Sequence, residues 1–236
     1  MRKRSTKTDW EKYWQSPDHQ PQGIHQQLLQ SLEQFIQIKG KKILEIGAGM
    51  GGDSLYLAKK GAQVTVLDFS EAALKQIKTS AQKEKVFIET ILAEAKKMPF
   101  EKETFDVVFH QGFLEHFSDP LPYLLEQKRV LKKGGFLVVD VPQKWTTYTL
   151  KKHWQMWRGK WFVGWEREFS ARELEDLVKK AGFEILGTYG RDYYGKLYQI
   201  RYLKLGRWYQ GLWEKIEKTR LKLYLTFSLG VVAKKK

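Results

Sequence analysis

The chain has 236 residues, 42% of them apolar, no cysteine and a formal net charge of +15. That length can bury one full core, and the missing cysteines exclude a disulfide framework, a thiolate metal site and a cysteine nucleophile. No run of eighteen apolar residues could span a membrane, and the basic start is followed by polar residues instead of the apolar stretch of a secretory signal, so a soluble cytoplasmic protein is expected.

The first 23 residues carry Asp9-Trp10-Glu11-Lys12-Tyr13-Trp14 ahead of Pro17 and Pro21, which reads as an N-terminal lid or packed arm. A helix-period segment at about 24–38 comes next, then a short apolar strand at 43–46. Gly47, Ala48, Gly49, Met50 and Gly51 follow, where the backbone can turn sharply and approach a ligand that a Cβ would push away. A helix at about 52–60 then points its free N–H groups back at the glycines. A second strand, 63–67, ends in Asp68, twenty-one residues after Gly47, where a carboxylate can accept both hydroxyls of a ribose. Asp68 is also a candidate helix cap, although Ser70 suits the helix over 70–81 better. Strands are expected at 86–91, 105–109 and 135–141, with a helix at about 119–131 before the last of these. Strands alternating with crossover helices specify an open, doubly wound α/β sheet. Its ligand belongs at the carboxyl ends of the strands, where Gly47, Asp68, Glu94 and Gln111 fall.

Gly47, Gly49 and Gly52 also satisfy the G-x-G-x-x-G of dinucleotide-binding folds, a weak signal alone. Glu45 separates the two classes of ligand. An acid two residues before the first glycine gains nothing from a pyrophosphate but favours a cationic ligand such as S-adenosylmethionine.

The order of these motifs resembles the class I S-adenosylmethionine-dependent methyltransferases from about Ile24 to Phe183. Glu45-Ile-Gly47-Ala-Gly49-Met-Gly51 is similar to the first family motif, and Val66-Leu67-Asp68-Phe69-Ser70 to the second, whose acid holds the ribose. Leu92-Ala93-Glu94-Ala95, running on to Met98-Pro99-Phe100, resembles the segment whose acid accepts from the adenine amino group, although the family more often has Asp there. Phe105 to His116 resembles the fourth strand and its exit, and Arg129 to Phe136 the turn into the fifth. The resemblance implies a seven-stranded Rossmann-like sheet, the last strand, at about 223–233, inserted antiparallel beside one at 183–190. It implies a site for S-adenosylmethionine, with S-adenosylhomocysteine as product, made by Glu45, Gly47, Ala48, Gly49, Gly51, Asp68, Phe69, Glu94, Ala95 and Gln111. The N-terminal aromatic segment is similar to the lid helix that several members fold over the cofactor.

The sulfonium is already an activated methyl donor, so the protein mainly aligns an acceptor and excludes water. A hydroxyl acceptor also needs a base, and the exit of the fourth strand offers Glu115 and His116, the imidazole with a pKa suited to neutral pH. Leu114-Glu115-His116 looks like the run in the O-methyltransferases of ubiquinone biosynthesis, where a further Glu three residues before the first acid accompanies a divalent metal. Gly112 stands at that position here, and no metal requirement is expected.

The whole chain reads as one domain: residues 1–23, a cofactor-binding core over 24–143, an aromatic-rich cap insertion over 144–169, and a C-terminal half over 170–236 with a basic helical insertion at 195–222 before the last strand. From Lys144 onward there are 21 basic and nine acidic residues, net +12 of the total +15, which points to an acidic acceptor or an anionic surface around it. The cap holds Trp145, Trp154, Trp157, Trp161 and Trp165 among cations, to cover the acceptor or to anchor the insertion on the sheet. The 195–222 segment spaces Leu197, Ile200, Leu205, Trp208, Tyr209, Leu212 and Ile216 at helical intervals, for core packing, for a second subunit or for peripheral contact with an anionic membrane. The leading expectation is transfer of a methyl group to oxygen or nitrogen of a small or lipophilic acceptor. An RNA, particularly tRNA, methyltransferase and a non-catalytic S-adenosylmethionine-binding module are the alternatives.

Overall fold

The computed structural model describes residues 6–15, 23–158, 166–193 and 219–236. Most of the expected insertion at 195–222, together with Trp161 and Trp165 of the cap, lies outside the described residues. Seven strands form one sheet: β1 (Lys42–Ile46), β2 (Gln63–Asp68), β3 (Ile88–Leu92), β4 (Phe105–Gln111), β5 (Leu131–Pro142), β6 (Phe183–Tyr193) and β7 (Thr226–Lys235). Their order is β3-β2-β1-β4-β5-β7-β6. Strands β1 to β5 run parallel, and β7 is antiparallel to both its neighbours. The doubly wound arrangement and the antiparallel insertion of the last strand are as expected.

The apolar runs alternate between two cores, one on each face of the sheet, because successive strand residues point to opposite sides. Ile43, Val64, Val66, Val107 and Phe109 meet Leu28, Leu29 and Leu32 of α2 (Gln26–Glu33), Leu57 of α3 (Gly52–Lys59), and Leu74 and Ile77 of α4 (Glu71–Lys83). On the other face Leu44, Ile46, Val108, Val139 and Val141 meet Leu124 of α5 (Leu121–Val130) and Leu174 and Val178 of α7 (Ala171–Lys180).

Three helices add to those read from periodicity alone. The N-terminal segment forms α1 (Lys7–Gln15), and α6 (Thr147–Trp157) follows β5. Helix α7 starts with a capping box in which Ser170 Oγ accepts from the Glu173 N–H while Glu173 reaches back to the Ser170 N–H at 2.8 Å. The final strand starts three residues later than expected, after a tight helical turn over Arg220–Leu225.

Gly230 of β7 pairs with Tyr189 of β6, and a Cβ there would run into the half-buried Tyr189 ring. Gly230→Ala is expected to cost about 1–3 kcal/mol through overpacking. Urea denaturation checks this, and an unchanged midpoint would contradict it.

Candidate active site

The carboxyl ends of β1 to β4 open into a cavity of about 490 Å³. It is walled by Glu45, Gly47, Ala48, Gly49, Asp68, Phe69, Glu94, Gln111, Glu115 and His116, ten of the twelve residues expected from sequence. Gly51 and Ala95 stand behind the wall. Gly51 caps α3 at φ +72°, where a Cβ would come within 2.9 Å of Ile77, and Ala95 is packed in the core. Gly51 therefore sets the turn, whereas Gly47, at φ +65°, faces the cavity, and a Cβ there would come within 3.3 Å of the Phe113 ring.

The floor is acidic. Glu45 is buried and accepts a hydrogen bond from Ser54 Oγ of α3. Burial, reinforced by the charge of Asp53, holds its carboxyl well above the usual range. Asp68 closes β2 and accepts from the Ser70 N–H at 2.8 Å, while Ser70 Oγ caps α4 by accepting from the Ala73 N–H. Burial nevertheless pushes Asp68 up to about 6. Asp53, in the first turn of α3, accepts the His25 N–H at 2.7 Å and pairs with His25 Nδ1 at 2.5 Å.

Helix α1 forms the roof. Glu11 accepts from Ser70 Oγ at 2.7 Å and from the Ala72 N–H at 3.0 Å, so a carboxylate sits on the positive end of α4. Gln76 of α4 donates to the Trp14 carbonyl, and Trp14 is buried. This anchoring brings Trp10 edge-on to His116, 5.0 Å between ring centres, and sets Trp10, Tyr13 and Trp14 in the cavity wall. Phe113, Phe117 and Tyr123 complete an aromatic side, the last two stacked at 3.8 Å.

The turn after β4 carries Glu115 and His116. Glu115 is buried, with no hydrogen-bond partner for Oε2 among the described residues. Burial, and then the nearby Glu166 and Asp140, push its carboxyl well above the ordinary range. Burial lowers His116 to about 4, so the near-neutral imidazole expected from sequence is not what this environment makes. The Arg167 N–H donates to the Glu115 carbonyl at 2.8 Å, and this draws Glu166 into the wall.

Sequence reasoning missed His25, Asp53, Phe113 and Glu166 as lining residues; only the aromatic run at 10–14 hinted at the roof. Of the cap tryptophans described, Trp145, Trp154 and Trp157 are exposed and stand outside the cavity wall. They neither line the cavity nor anchor the insertion, because α6 turns its other face to the protein.

Residues 44–139 match the model of a methyltransferase domain. The ubiquinone biosynthesis O-methyltransferase of Cereibacter sphaeroides is 28% identical over 172 residues, 71% of this chain and 70% of that protein. The protein of the same description from Coxiella burnetii is 33% identical over 109 residues, 46% of this chain and 47% of that one. Among solved structures, a SAM-dependent methyltransferase from Aquifex aeolicus superposes with a TM-score of 0.61 at 18% identity, covering 98% of this chain and 99% of that one. The YcgJ protein from Bacillus subtilis does so with a TM-score of 0.62 at 17% identity, covering 90% and 99%. Likeness at such identities speaks for the fold alone. Together with the sheet order it gives this chain the seven-stranded Rossmann-like fold of those methyltransferases, with the methyltransferase-domain match confined to residues 44–139. Among the described residues no helix is long and apolar enough to cross a membrane.

Because Asp68 holds its proton more tightly in the folded chain, its contribution to stability is fully present below its ordinary pKa of 3.8 and is lost as pH rises through about 6. Asp68→Asn keeps an acceptor for the Ser70 N–H and removes the buried charge. It is expected to stabilise the protein without added ligands by up to about 3 kcal/mol at pH 8 and by little near pH 4. Thermal unfolding of both proteins across that range checks the sign; a variant less stable at pH 8 would contradict it.

Proposed function

We propose that this chain is a class I S-adenosylmethionine-dependent methyltransferase that modifies a hydroxyl oxygen of a small, lipophilic acceptor that is neutral in charge, with Glu115 as the proton acceptor. The observation that carries the reading is one aromatic-roofed cavity with carboxylates at both ends, Glu45 and Asp68 by the glycine loop and Glu115 at the exit of β4.

The donor set suits the cofactor of this class. Glu45 would hold the ammonium, Asp68 the ribose hydroxyls and Glu94 the adenine amino group, while Gly47 to Gly49 give the backbone close approach and Phe69 and Gln111 complete the wall. When bound, S-adenosylmethionine supplies a methyl group already activated by its positive sulfur. The chain's own part is to place the acceptor oxygen, keep water out beneath Trp10 and Trp14, and take one proton. Glu115 is the stronger base of the neighbouring pair, since burial raises its pKa and lowers that of His116. His116 is uncharged at neutral pH and would orient the acceptor.

The oxygen target is supported by the relatives, which are ubiquinone biosynthesis O-methyltransferases. The acidic acceptor expected from the basic C-terminal half is not favoured, because Glu45, Asp53, Asp68, Glu94, Glu115 and Glu166 line one cavity with Lys7 as the lysine among its lining residues. An RNA phosphate would meet the same repulsion there.

Calorimetry is expected to record S-adenosylhomocysteine binding and no NADH binding, with Glu45→Gln weakening the former about tenfold or more; the reverse preference would overturn the cofactor assignments. Labelled cofactor offered with alkylated phenols and with RNA is expected to label the phenols. Glu115→Gln should lower kcat about 100-fold or more with little change in cofactor affinity. Activity should rise with pH through the raised pKa of Glu115, because the base must be ionised. Label entering RNA, or full activity in Glu115→Gln, would overturn the reading.

A further inference from the structure

We propose that the outward face of α6 docks the protein onto a membrane of anionic phospholipid. This helix is amphipathic in the inverted sense. Its inner side is polar: Thr149 is buried, and Lys152, with no exposed surface at all, pairs with Glu166 at 3.1 Å and Glu168 at 2.5 Å. Its outer side is apolar. Leu150, Trp154 and Trp157, spaced four and three residues apart on one helical face, are 72%, 53% and 82% exposed, and Trp145 just before the helix is 62% exposed.

Burying a lysine against two partly buried glutamates while leaving two tryptophans and a leucine in water runs against the ordinary partition of side chains. The inner ion pairs make the reversal stable, since rotating α6 would strand the Lys152 charge. A contiguous aromatic and aliphatic face held outward in this way marks a contact with another apolar phase.

The charges around the face say which. Residues 144–158 contain Lys144, Lys151, Lys152 and Arg158 and no acid. Lys151 and Arg158 are exposed, with Arg158 lying 4.6 Å over the Trp154 ring, while the half-exposed Lys144 lies 5.6 Å from the Trp145 ring and pairs with Glu173 at 3.3 Å. Tryptophan beside lysine and arginine matches the headgroup layer, where the ring sits at the boundary and the cations meet lipid phosphates. A second copy of the chain would bring the same Lys151 and Arg158 against these cations and be repelled. Leu150 offers an RNA nothing to stack on or bond to.

Placement gives the surface a use. Helix α6 leaves the carboxyl end of β5, the edge of the sheet at which the cavity opens, and Lys152 ties it to Glu166 in the cavity wall. A docked α6 would hold the active site against the lipid in which a lipophilic acceptor dissolves. That purpose rests on the function proposed above, whereas the exposed aromatic face and its cations do not depend on it.

Co-sedimentation with vesicles of phosphatidylglycerol mixed into phosphatidylcholine, and with phosphatidylcholine alone, tests the proposal. The wild-type chain is expected to bind the anionic vesicles and release at high salt, with tryptophan emission quenched by brominated acyl chains. The triple variant Leu150→Gln, Trp154→Gln, Trp157→Gln should lose about tenfold or more of that partitioning while keeping its melting temperature and S-adenosylhomocysteine binding, because the altered side chains are exposed. Equal binding of wild type and variant, or no preference for anionic lipid, would overturn it. So would a wild-type dimer that the variant converts to monomer without lipid, which assigns the face to a second copy, or variant-sensitive RNA binding with no lipid binding. Should the variant still methylate a soluble alkylated phenol, the function stands whatever the vesicles show; should no phenol be methylated, vesicle binding still decides the surface.

Discussion

Four carboxylates, Glu45, Asp68, Glu115 and Asp140, are more than nine-tenths buried at the carboxyl ends of adjacent strands or in the turn that follows. Negative charge that water cannot reach is unfavourable unless something positive or hydrogen-bonding answers it, and the folded chain answers each acid differently. Asp140 meets the Arg191 guanidinium at 3.3 Å, Asp68 accepts a backbone N–H, Glu45 accepts a serine hydroxyl, and Glu115 leaves one oxygen without a partner among the described residues. The degree of compensation separates structure from function. The ion-paired acid links β5 to Arg191 of the edge strand β6, and the less satisfied ones face the cavity, where ligand groups can complete them.

The same constraint explains why the roof matters. Without α1, the far end of the cavity would be open to water, and both Glu115 and His116 would lie closer to their ordinary pKa values. Glu11 on the start of α4 and Trp14 against Gln76 hold the helix down, so Trp10 reaches His116. Desolvation then divides the pair into a strengthened carboxylate base and a neutral imidazole, a division that neither residue type implies by itself.

Charge is also sorted by depth. The chain is strongly basic as a whole, yet its cavity is lined with acids. The expectation of an acidic acceptor came from counting charge along the C-terminal half, and that count says what surrounds the protein, not what enters it. A basic exterior and an acidic interior fit a protein that approaches an anionic surface but takes up a neutral molecule.

Strand positions, the glycine turn and the line of acids at strand ends were legible from the chain because each is local: period-two or continuous apolar runs, a turn that needs left-handed glycines, a cap such as Ser70. Hence ten expected site residues share one cavity. What sequence could not supply was contact between distant segments. His25 meets Asp53 across 28 residues, Glu11 meets Ser70 across 59, and Glu166 joins Glu115 only through the Arg167 backbone. The orientation of α6 was hidden as well, since nothing local to Leu150, Trp154 and Trp157 says which side of the helix meets water, and the buried Lys152 decides it. Sequence alone thus determined the class of sheet and the end at which its ligand belongs, because these follow from backbone preferences of neighbouring residues. Which acids lose their water, which aromatics close the cavity and which face of a helix is left outside were decided only by the tertiary packing, because burial belongs to the assembled chain and not to any segment of it.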